Sequence, residues 1–368
     1  MNSNGVTGTL DTLIIGGGQA GLALGHYLKE QDRRFQILDA NPRIGDAWRQ
    51  RWDSLRVFTP AKYDGLPGVP FPADPLTFPT KDELAAYLEG YAAQRGLPVA
   101  NGVRVERLRR EADRFIATAN GRSWEAYNVV VATGSSQAPK IPAFAAELSA
   151  GVVQFHASEY RNVRQLQDGP VLVVGLGNSG AEVGLEVSRT HRTFVAGKPG
   201  GELPVKHGPT AARYVLPVVR FLGLHVLTLH NPIGRKAAPA FAAHAAPLIR
   251  TKSKDLVAAG VQLVGRVAGV RDGLPVLEGG TRLEVTNVIW CTGYRDDFSW
   301  IDPEMIDGGA LPPQERGVVP GTPGLFFLGQ EFLYAAASAT LPGVCRDARY
   351  LASRIPVPAH SKAAAQST

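Results

Sequence analysis

Short apolar runs, glycine clusters and helical patterns follow one another in a regular order along the chain. Residues 11–15 (DTLII) form a β-branched run that leads into a glycine cluster, and residues 20–29 then show the apolar spacing of a helix. A second apolar run, residues 35–38, ends at Asp39. The pattern predicts a strand–helix–strand unit in the first part of the chain.

The same order of elements occurs again in the middle of the chain. Residues 170–189 (PVLVVGLGNSGAEVGLEVSR) form an apolar strand, a glycine turn and a helical pattern, and the strand-like TFVAG follows at 193–197. Two copies of one supersecondary unit imply two nucleotide-sized units. The sequence therefore predicts an α/β fold with two Rossmann-like dinucleotide-binding domains.

The remaining segments predict connections and further elements. Residues 42–80 are rich in proline, glycine and aromatic residues, which cannot sustain a helix or a central strand, so we expect an ordered loop there. Thr80 followed by Glu83 has the spacing of a capping box, which predicts a helix over residues 81–95. We also expect a strand meander near 102–109, 114–119 and 128–132, mostly helix over 240–259, short strands over 261–290, and a terminal helix over 341–355.

The first glycine cluster has the spacing of a dinucleotide-binding turn. Gly16, Gly18 and Gly21 fit G-x-G-x-x-G. In such a turn the first glycine permits the tight bend, the second lets a pyrophosphate approach the backbone, and the third lets the helix pack closely on the strand. The acid that ends the next strand, Asp39, can accept hydrogen bonds from a ribose. We therefore expect an adenine dinucleotide here; the alternative is a glycine-rich turn beside a surface aspartate.

The second glycine cluster differs at the corresponding strand end. Gly175, Gly177 and Gly180 repeat the spacing, and the offset of Asp39 from the first glycine, applied to Gly175, leads to Lys198. A carboxylate there would repel a 2′-phosphate, whereas a cation accepts it. We therefore expect this turn to prefer NADPH. The alternative is that Lys198 is a solvated surface lysine and that NADH serves equally well.

Composition narrows the class of protein. Of the 368 residues, 44% are hydrophobic and 20% are charged, which favours a globular fold with a sizeable core. Cys291 and Cys345 lie far apart in the sequence, which excludes a C-x-x-C redox pair and a disulfide scaffold. Because the Lys and Arg behind the net charge of +6 form no long basic block, we expect no nucleic-acid partner. We find neither a leader pattern in residues 1–11 nor a long apolar stretch, so we expect no membrane span and a soluble cytoplasmic protein.

Six segments together resemble the flavin-containing monooxygenases and their bacterial relatives, which are flavoproteins with two dinucleotide-binding domains. In chain order they are GGGQAG, IGDAWRQRWDSL, VVVATG, GLGNSG, IWCTGYR and GLFFLGQ, and they run through most of the chain. Each segment alone is short, but the ordered set is specific. The resemblance implies the fold and both cofactors.

In that family the first turn binds FAD, the second binds NADPH, and the NADPH domain is inserted into the FAD domain. The implied boundaries are residues 1–156 and 292–368 for the FAD domain and 157–291 for the NADPH domain. The implied FAD contacts are Gly16, Gly18, Gln19, Ala20, Gly21, Asp39, Trp48, Ala132, Thr133, Gly134, Gly329 and Gln330. The implied NADPH contacts are Gly175, Gly177, Asn178, Ser179, Gly180 and Lys198.

The resemblance also implies a reaction. NADPH reduces the flavin, oxygen adds to give a C4a-hydroperoxyflavin, and one oxygen atom passes to a sulfide, an amine or a ketone. The partners are then a small-molecule substrate and dioxygen, and no metal site is required. The sequence carries no signal for the oligomeric state.

Departures from the family pattern leave alternatives open. The family's F-x-G-x-x-x-H is met only in part before His156, so a role for His156 in positioning NADPH stands beside a hydrogen-bonded structural histidine. Phe58 takes the place of an asparagine near the flavin, which makes oxidase-like loss of hydrogen peroxide an alternative outcome. The alternatives are an NAD(P)H-dependent flavin reductase or oxidase, and a nucleotide-sensing flavoprotein without turnover. A disulfide reductase would need a paired cysteine motif, which the sequence lacks.

Overall fold

The computed structural model describes residues 8–243, 246–307 and 309–358. The strands are β1 Leu10–Ile15, β2 Phe35–Leu38, β3 Val99–Ala100, β4 Arg107–Glu111, β5 Arg114–Ala119, β6 Arg122–Val131, β7 Ala138–Pro139, β8 Val153–His156, β9 Val171–Val174, β10 Thr193–Ala196, β11 Gln262–Val264, β12 Val267–Arg271, β13 Leu274–Leu277, β14 Asn287–Trp290, β15 Tyr294–Arg295 and β16 Leu325–Phe327. The helices are α1 Gln19–Glu30, α2 Asp46–Arg49, α3 Lys81–Gln94, α4 Asn178–Val187, α5 Pro209–Tyr214, α6 Leu216–Phe221, α7 Pro232–Ala243, α8 Ser253–Ala258 and α9 Leu341–Arg354, with a turn of π-helix at Leu222–Val226 after α6.

The first sheet has the strand order β3-β2-β1-β6-β5-β4, and β16 also pairs with β6. β1 pairs in parallel with β2 and with β6, and β16 pairs in parallel with β6. Every residue of β1 and β2 is buried. A strand covered on both faces buries all of its side chains, which is why these strands are mostly apolar and do not alternate, although Asp11, Thr12 and Gln36 are also buried in them.

The predicted meander is confirmed with two shifts of boundary, and the first is that β4 begins at Arg107 rather than near residue 102. β4, β5 and β6 pair antiparallel in succession. β6 begins at Arg122, several residues before the expected strand, because its first half pairs with β5 and its second half with β1. One long strand therefore links the meander to the parallel part of the sheet.

The second sheet is parallel throughout and has the order β11-β10-β9-β14-β8. Its strands fall in the sequence between β6 and β16 of the first sheet. The predicted fold class, two Rossmann-like units with the second inserted into the first, is confirmed. The predicted domain boundaries stay a prediction; β8 pairs in the second sheet although it precedes residue 157.

Helices cover one face of the first sheet, and strand and loop residues cover the other. One apolar cluster joins β1 and β2 to α1, α3 and α9, and a second lies on the other face of the sheet. The capping box predicted for α3 is confirmed: the Thr80 hydroxyl accepts a hydrogen bond from the Glu83 N–H at 3.2 Å, and the Glu83 carboxylate accepts one from the Thr80 N–H at 2.7 Å. The terminal helix is confirmed as α9, and the short strands expected over 261–290 as β11 to β14.

The helix expected over 240–259 is wrong in its middle part. α7 ends at Ala243, and α8 starts only at Ser253. Between them, the backbone of Leu248 donates to Gly201 at 2.9 Å and accepts from Leu203 at 3.0 Å. These residues pair with a distant part of the chain, so their backbone groups are not available for helical hydrogen bonds. Residues 244–245 lie outside the described part.

Candidate functional site

Both glycine turns need glycine because the end of a neighbouring strand lies against them. A Cβ on Gly16 would lie 2.4 Å from the carbonyl oxygen of Ala132, and a Cβ on Gly175 would lie 2.3 Å from the carbonyl oxygen of Cys291. The φ angles of the two glycines are +116° and +109°. Both units are therefore built on the same close approach between a turn and a strand end.

The third glycine of each motif allows a helix to sit directly on its turn. A Cβ on Gly21 would lie 1.9 Å from the carbonyl oxygen of Gly16, and a Cβ on Gly180 would lie 1.8 Å from that of Gly175. No side chain could be accommodated at these distances. The sequence repeat is thus also a repeat in three dimensions.

The N-termini of α1 and α4 are open toward a ligand. Their N-cap residues are Gly18 and Gly177, and neither supplies a side-chain cap. A Cβ built on Gly18 would meet no atom of the described residues within 4 Å. First-turn N–H groups without a cap bind anions such as a pyrophosphate. The other motif residues expected to contact a cofactor lie in these first turns: Gln19, Ala20, Asn178 and Ser179.

Asp39 is buried directly after β2 and holds the first turn in place. Its Oδ2 accepts a hydrogen bond from the Gly17 N–H at 2.6 Å, and its Oδ1 accepts from the N–H and the side-chain amide of Asn41 at 2.8 and 2.9 Å. Each carboxylate oxygen has more than one acceptor site. The carboxylate can therefore fix the turn and also accept a hydrogen bond from a ribose hydroxyl.

The corresponding position of the second unit is different. Lys198 follows β10 and is exposed. The side chain of Asn178 is used within the protein, since its Nδ2 donates to the Pro247 carbonyl at 3.1 Å and its Oδ1 accepts from the Ile249 N–H at 2.8 Å. These bonds fix the start of α4 against the extended segment between α7 and α8. The preference for NADPH stays a prediction.

Trp48 and Gln19 meet at the first turn. The Trp48 indole N–H donates to the Gln19 side-chain oxygen at 3.2 Å, and the Gln19 amide nitrogen donates to the Ala339 carbonyl at 3.2 Å. Ala339 lies just before α9. Three segments distant in sequence are thereby brought to the open end of α1.

The strand ends around Gly16 complete this side of the site. Ala132 donates its N–H to the Ile15 carbonyl at 2.7 Å, and the Gln137 amide nitrogen holds the Thr133 hydroxyl at 3.0 Å and the Gly134 carbonyl at 2.8 Å. At the end of the neighbouring β16, a Cβ on Gly329 would lie 2.9 Å from the Cβ of Ala20.

Gln330 is the clearest sign that a polar group belongs here. Its side chain is 1% exposed, and neither its amide nitrogen nor its amide oxygen has a partner among the described residues. A buried amide without partners is costly, and such a group in a native protein calls for a ligand or a water. Together with the open space at Gly18, the unpartnered Gln330 shows that these residues fit a flavin dinucleotide.

His156 is buried at the end of β8 and both of its ring nitrogens have protein partners. Nδ1 accepts from the Ser158 N–H at 3.1 Å, so Nε2 carries the proton and donates to the Gly293 carbonyl at 3.0 Å. Burial lowers the pKa of His156. This is the geometry of the structural alternative; a role in positioning NADPH stays a prediction.

Several contacts at and near the crossings between the two units carried no sequence signal of their own. The Arg51 guanidinium donates to the Tyr294 hydroxyl at 2.6 Å, and the Tyr294 ring packs edge-on against His156. The Tyr160 hydroxyl donates to the Glu186 carboxylate at 2.7 Å. Tyr294 lies in the CTGY motif, so the motif marked the place but not the partner.

The two cysteines form no disulfide, and their thiols are unreactive. Both are free, and burial raises the pKa of each thiol to about 12. A thiol that stays protonated at neutral pH is a poor nucleophile. In the described ranges, no group of three or more His, Cys, Asp or Glu side chains is placed to bind a metal ion. No helix within those ranges is both long and apolar enough to span a bilayer.

Comparison with known proteins places this site in a family. Residues 13–200 match the family model described as pyridine nucleotide-disulphide oxidoreductase. An uncharacterized CzcO-like oxidoreductase of Geobacillus kaustophilus is 38% identical over 349 residues, which cover 94% of this chain and 98% of that protein. The chain belongs to the pyridine nucleotide-disulphide oxidoreductase family.

The relatives also confirm the resemblance to the flavin-containing monooxygenases. A flavin-containing monooxygenase from Stenotrophomonas maltophilia has a solved structure that superposes with a TM-score of 0.75 at 28% identity, covering 94% of this chain and 98% of that one. An indole-3-pyruvate monooxygenase, YUCCA1 of Oryza sativa subsp. japonica, is 34% identical over 181 residues, which cover 48% of this chain and 45% of that protein.

The protein is an oxidoreductase of the flavin-dependent monooxygenase type. The predicted cofactor classes, FAD and NADPH, are confirmed at the level of the family. The individual contact residues and the cytoplasmic location stay predictions.

Proposed function

We propose that this oxidoreductase uses NADPH and dioxygen to insert one oxygen atom into a small nucleophile, a sulfide or an amine, or into a ketone. The observation that carries the proposal is the pair of equivalent glycine turns, together with the unpartnered Gln330 amide next to Gly329, which lies beside Ala20 of α1. Support comes from the similarity to the Stenotrophomonas flavin-containing monooxygenase over nearly the whole chain.

When bound, FAD supplies the hydride acceptor and the centre that activates dioxygen. The protein's own residues bind and orient it. The uncapped start of α1 would bind the pyrophosphate, Asp39 would accept a hydrogen bond from the ribose, and Gln330 would offer an amide donor and an acceptor to the ring system. Trp48 and the start of α9 close this side of the site, since Gln19 ties them together.

We further propose that residues 1–156 and 292–368 bind FAD and that residues 157–291 bind NADPH. At the crossings between them, the Arg51 guanidinium donates to the Tyr294 hydroxyl, and the Nε2 of His156 donates to the Gly293 carbonyl. The bond from His156 joins the end of β8 to the residues after β14, and the bond from Arg51 joins those residues to the segment after α2. A fixed relation of the two units is what hydride transfer between two cofactors needs.

The proposed preference for NADPH rests on Lys198. The second unit has a cation where the first has a carboxylate, and a 2′-phosphate pairs with a cation. Lys198→Ala is expected to raise the KM for NADPH about tenfold and to leave the KM for NADH unchanged, as measured by steady-state oxidation of each nicotinamide in air. Arg189→Ala, an exposed cation on the loop after α4, is the control. An unchanged ratio of the two KM values in Lys198→Ala would contradict the preference.

Oxygen transfer is tested with methyl phenyl sulfide, a primary amine and a cyclic ketone as probes. The holoenzyme is reduced by NADPH without air and then mixed with oxygen-18 gas. Labelled oxygen in a product, in amounts that match the NADPH consumed, is the expected result. If NADPH reduces the flavin but hydrogen peroxide is the sole product with every probe, the monooxygenase proposal is overturned. Failure of NADPH to reduce the flavin would favour a sensor.

A flavin oxidase is the second candidate, and Phe58 favours it. The family's asparagine would present an amide near the flavin, whereas Phe58 presents a phenyl ring that is 41% exposed. Its backbone carbonyl is occupied, because His207 Nε2 donates to it at 2.9 Å. Phe58→Asn is expected to lower the share of NADPH oxidation that ends as hydrogen peroxide. If the share does not change, Phe58 is not the reason for any peroxide release.

A further inference from the structure

The segment between β10 and β11 has an unusual charge. Residues 203–254 contain no Asp or Glu and eight Lys and Arg: Lys206, Arg213, Arg220, Arg235, Lys236, Arg250, Lys252 and Lys254. The whole chain has a net charge of +6, so this segment alone is more positive than the complete protein. We call residues 203–254 the basic segment.

The helical part of the basic segment is apolar on the side that faces solvent. α5, α6 and the π-helical turn follow one another over residues 209–226, and Tyr214, Val218, Phe221 and Leu222 are exposed along them. Their spacing of four, seven and eight residues from Tyr214 places them on one face of a helix. Tyr214 is 65% exposed and Phe221 is 57% exposed. We call these four side chains the apolar stripe.

The apolar stripe is not a core face, because the opposite face of the same helices already packs on the protein. Ala211, Ala212 and Leu216 are buried in a cluster with Leu76 and Phe78 of the proline-rich loop. A helix on the surface of a globular protein normally turns its polar side outward. Here both sides are apolar, and the ring contacts of the outer side, Tyr214 with Arg213 and Phe221 with His225, are with neighbours in the same segment.

Cations flank the apolar stripe. Arg213 and Arg220 are exposed on α5 and α6. On the following α7, Ile233 is 58% exposed and is followed by the exposed Arg235 and Lys236. Exposed apolar and aromatic side chains with Lys and Arg beside them are typical of helices that lie in the headgroup region of a membrane. The segment is also tied to the body of the protein, since Leu229 donates to the Tyr334 carbonyl at 2.8 Å.

We propose that the apolar stripe and the cations beside it form a docking surface for a bilayer with anionic headgroups. The apolar side chains enter the boundary between headgroups and acyl chains, and the cations pair with lipid phosphates. A second copy of this chain fits less well, because two such surfaces would bring like charges together. A nucleic acid would pair with the cations but would leave the apolar stripe without a partner.

The test is co-sedimentation of the FAD-loaded protein with vesicles. The partition coefficient is measured for phosphatidylcholine alone and for an equal mixture with phosphatidylglycerol, at low and at high salt. We expect at least tenfold stronger binding to the mixed vesicles, weakened by salt because screening shortens the reach of the cations.

Matched variants separate the apolar and the cationic contributions. Val218→Asp is expected to lower the partition coefficient about tenfold, and Val257→Asp, a valine of similar exposure on α8, is the control with unchanged binding. Lys236→Ala is expected to lower binding to the mixed vesicles about fivefold and to leave binding to phosphatidylcholine vesicles unchanged. Arg189→Ala is its control. Flavin absorbance and thermal unfolding report whether each variant is folded.

Three results would overturn the proposal. The first is a wild-type protein that does not bind the mixed vesicles, and the second is equal binding by Val218→Asp and Val257→Asp. The third is self-association of the wild-type protein, seen as concentration-dependent light scattering and abolished by Val218→Asp, without binding to vesicles. That result would assign the surface to a second copy of the chain. If the first result is accompanied by binding to duplex DNA that Val218→Asp leaves unchanged, the cations are assigned to nucleic acid.

Discussion

A buried carboxyl group in the proline-rich loop makes the stability of this protein depend on pH. Asp64 is fully buried, its Oδ1 accepts a hydrogen bond from the Thr59 hydroxyl, and its Oδ2 has no partner among the described residues. Burial raises the pKa of Asp64 from 3.8 to about 7, while the Thr59 hydroxyl opposes that shift. The folded protein therefore holds a proton that the unfolded chain releases.

The sign and size of the effect follow from that difference. Between pH 4 and pH 7 the folded state binds more protons at Asp64 than the unfolded state does, so stability falls as pH rises. Each pKa unit corresponds to about 1.4 kcal/mol. The full shift is worth at most about 4 kcal/mol, of which about 3 kcal/mol is lost between pH 5 and pH 8.

Asp64→Asn removes the ionisation and keeps an oxygen that can accept from Thr59. Urea unfolding at pH 5 and pH 8, with excess FAD throughout, should show the wild type losing about 3 kcal/mol more than the variant over this interval. Asp74→Asn, in an exposed part of the same loop, is the control and should follow the wild type. Parallel pH dependence of wild type and Asp64→Asn, within about 0.5 kcal/mol, would refute the reasoning.

Two further predictions concern the first unit and the C-terminal helix. Gly21→Ala should lower the free energy of unfolding by about 3 kcal/mol or fail to fold, because its methyl group would lie 1.9 Å from a carbonyl oxygen. The methyl group of Gly18→Ala would meet no described atom, so this variant should keep the urea midpoint of the wild type. It should nevertheless bind FAD at least tenfold more weakly, because the methyl group would lie where the pyrophosphate approaches the backbone. Equal destabilisation of the two apoproteins would contradict this. Asp347 is fully buried and accepts from the Ser338 hydroxyl at 2.7 Å and from Arg346 at 3.0 Å, so Asp347→Ala should cost about 3–5 kcal/mol in urea unfolding. A loss below about 1 kcal/mol would mean that the Arg346 guanidinium becomes hydrated in the variant rather than staying buried without a partner.

Patterns within short stretches of the sequence were sufficient to predict the fold class. The repeated order of strand, glycine turn and helix fixed two units, because the spacing of three glycines records close contacts within a short stretch of chain. The capping box of α3 and the terminal helix could also be predicted, since Thr80 and Glu83 act within one helical turn and the apolar spacing of α9 is a property of one segment.

Contacts between distant segments could be seen only in the tertiary structure. Nothing local to Asp64 or Gln330 indicates that either side chain is buried without a full set of partners. The extended stretch before α8 replaced an expected helix because Leu248 pairs with Gly201 and Leu203, far back in the sequence. The apolar stripe shows the same division: the sequence contains its spacing and its neighbouring cations, but only packing decides which face of a helix is covered and which is left to meet another surface.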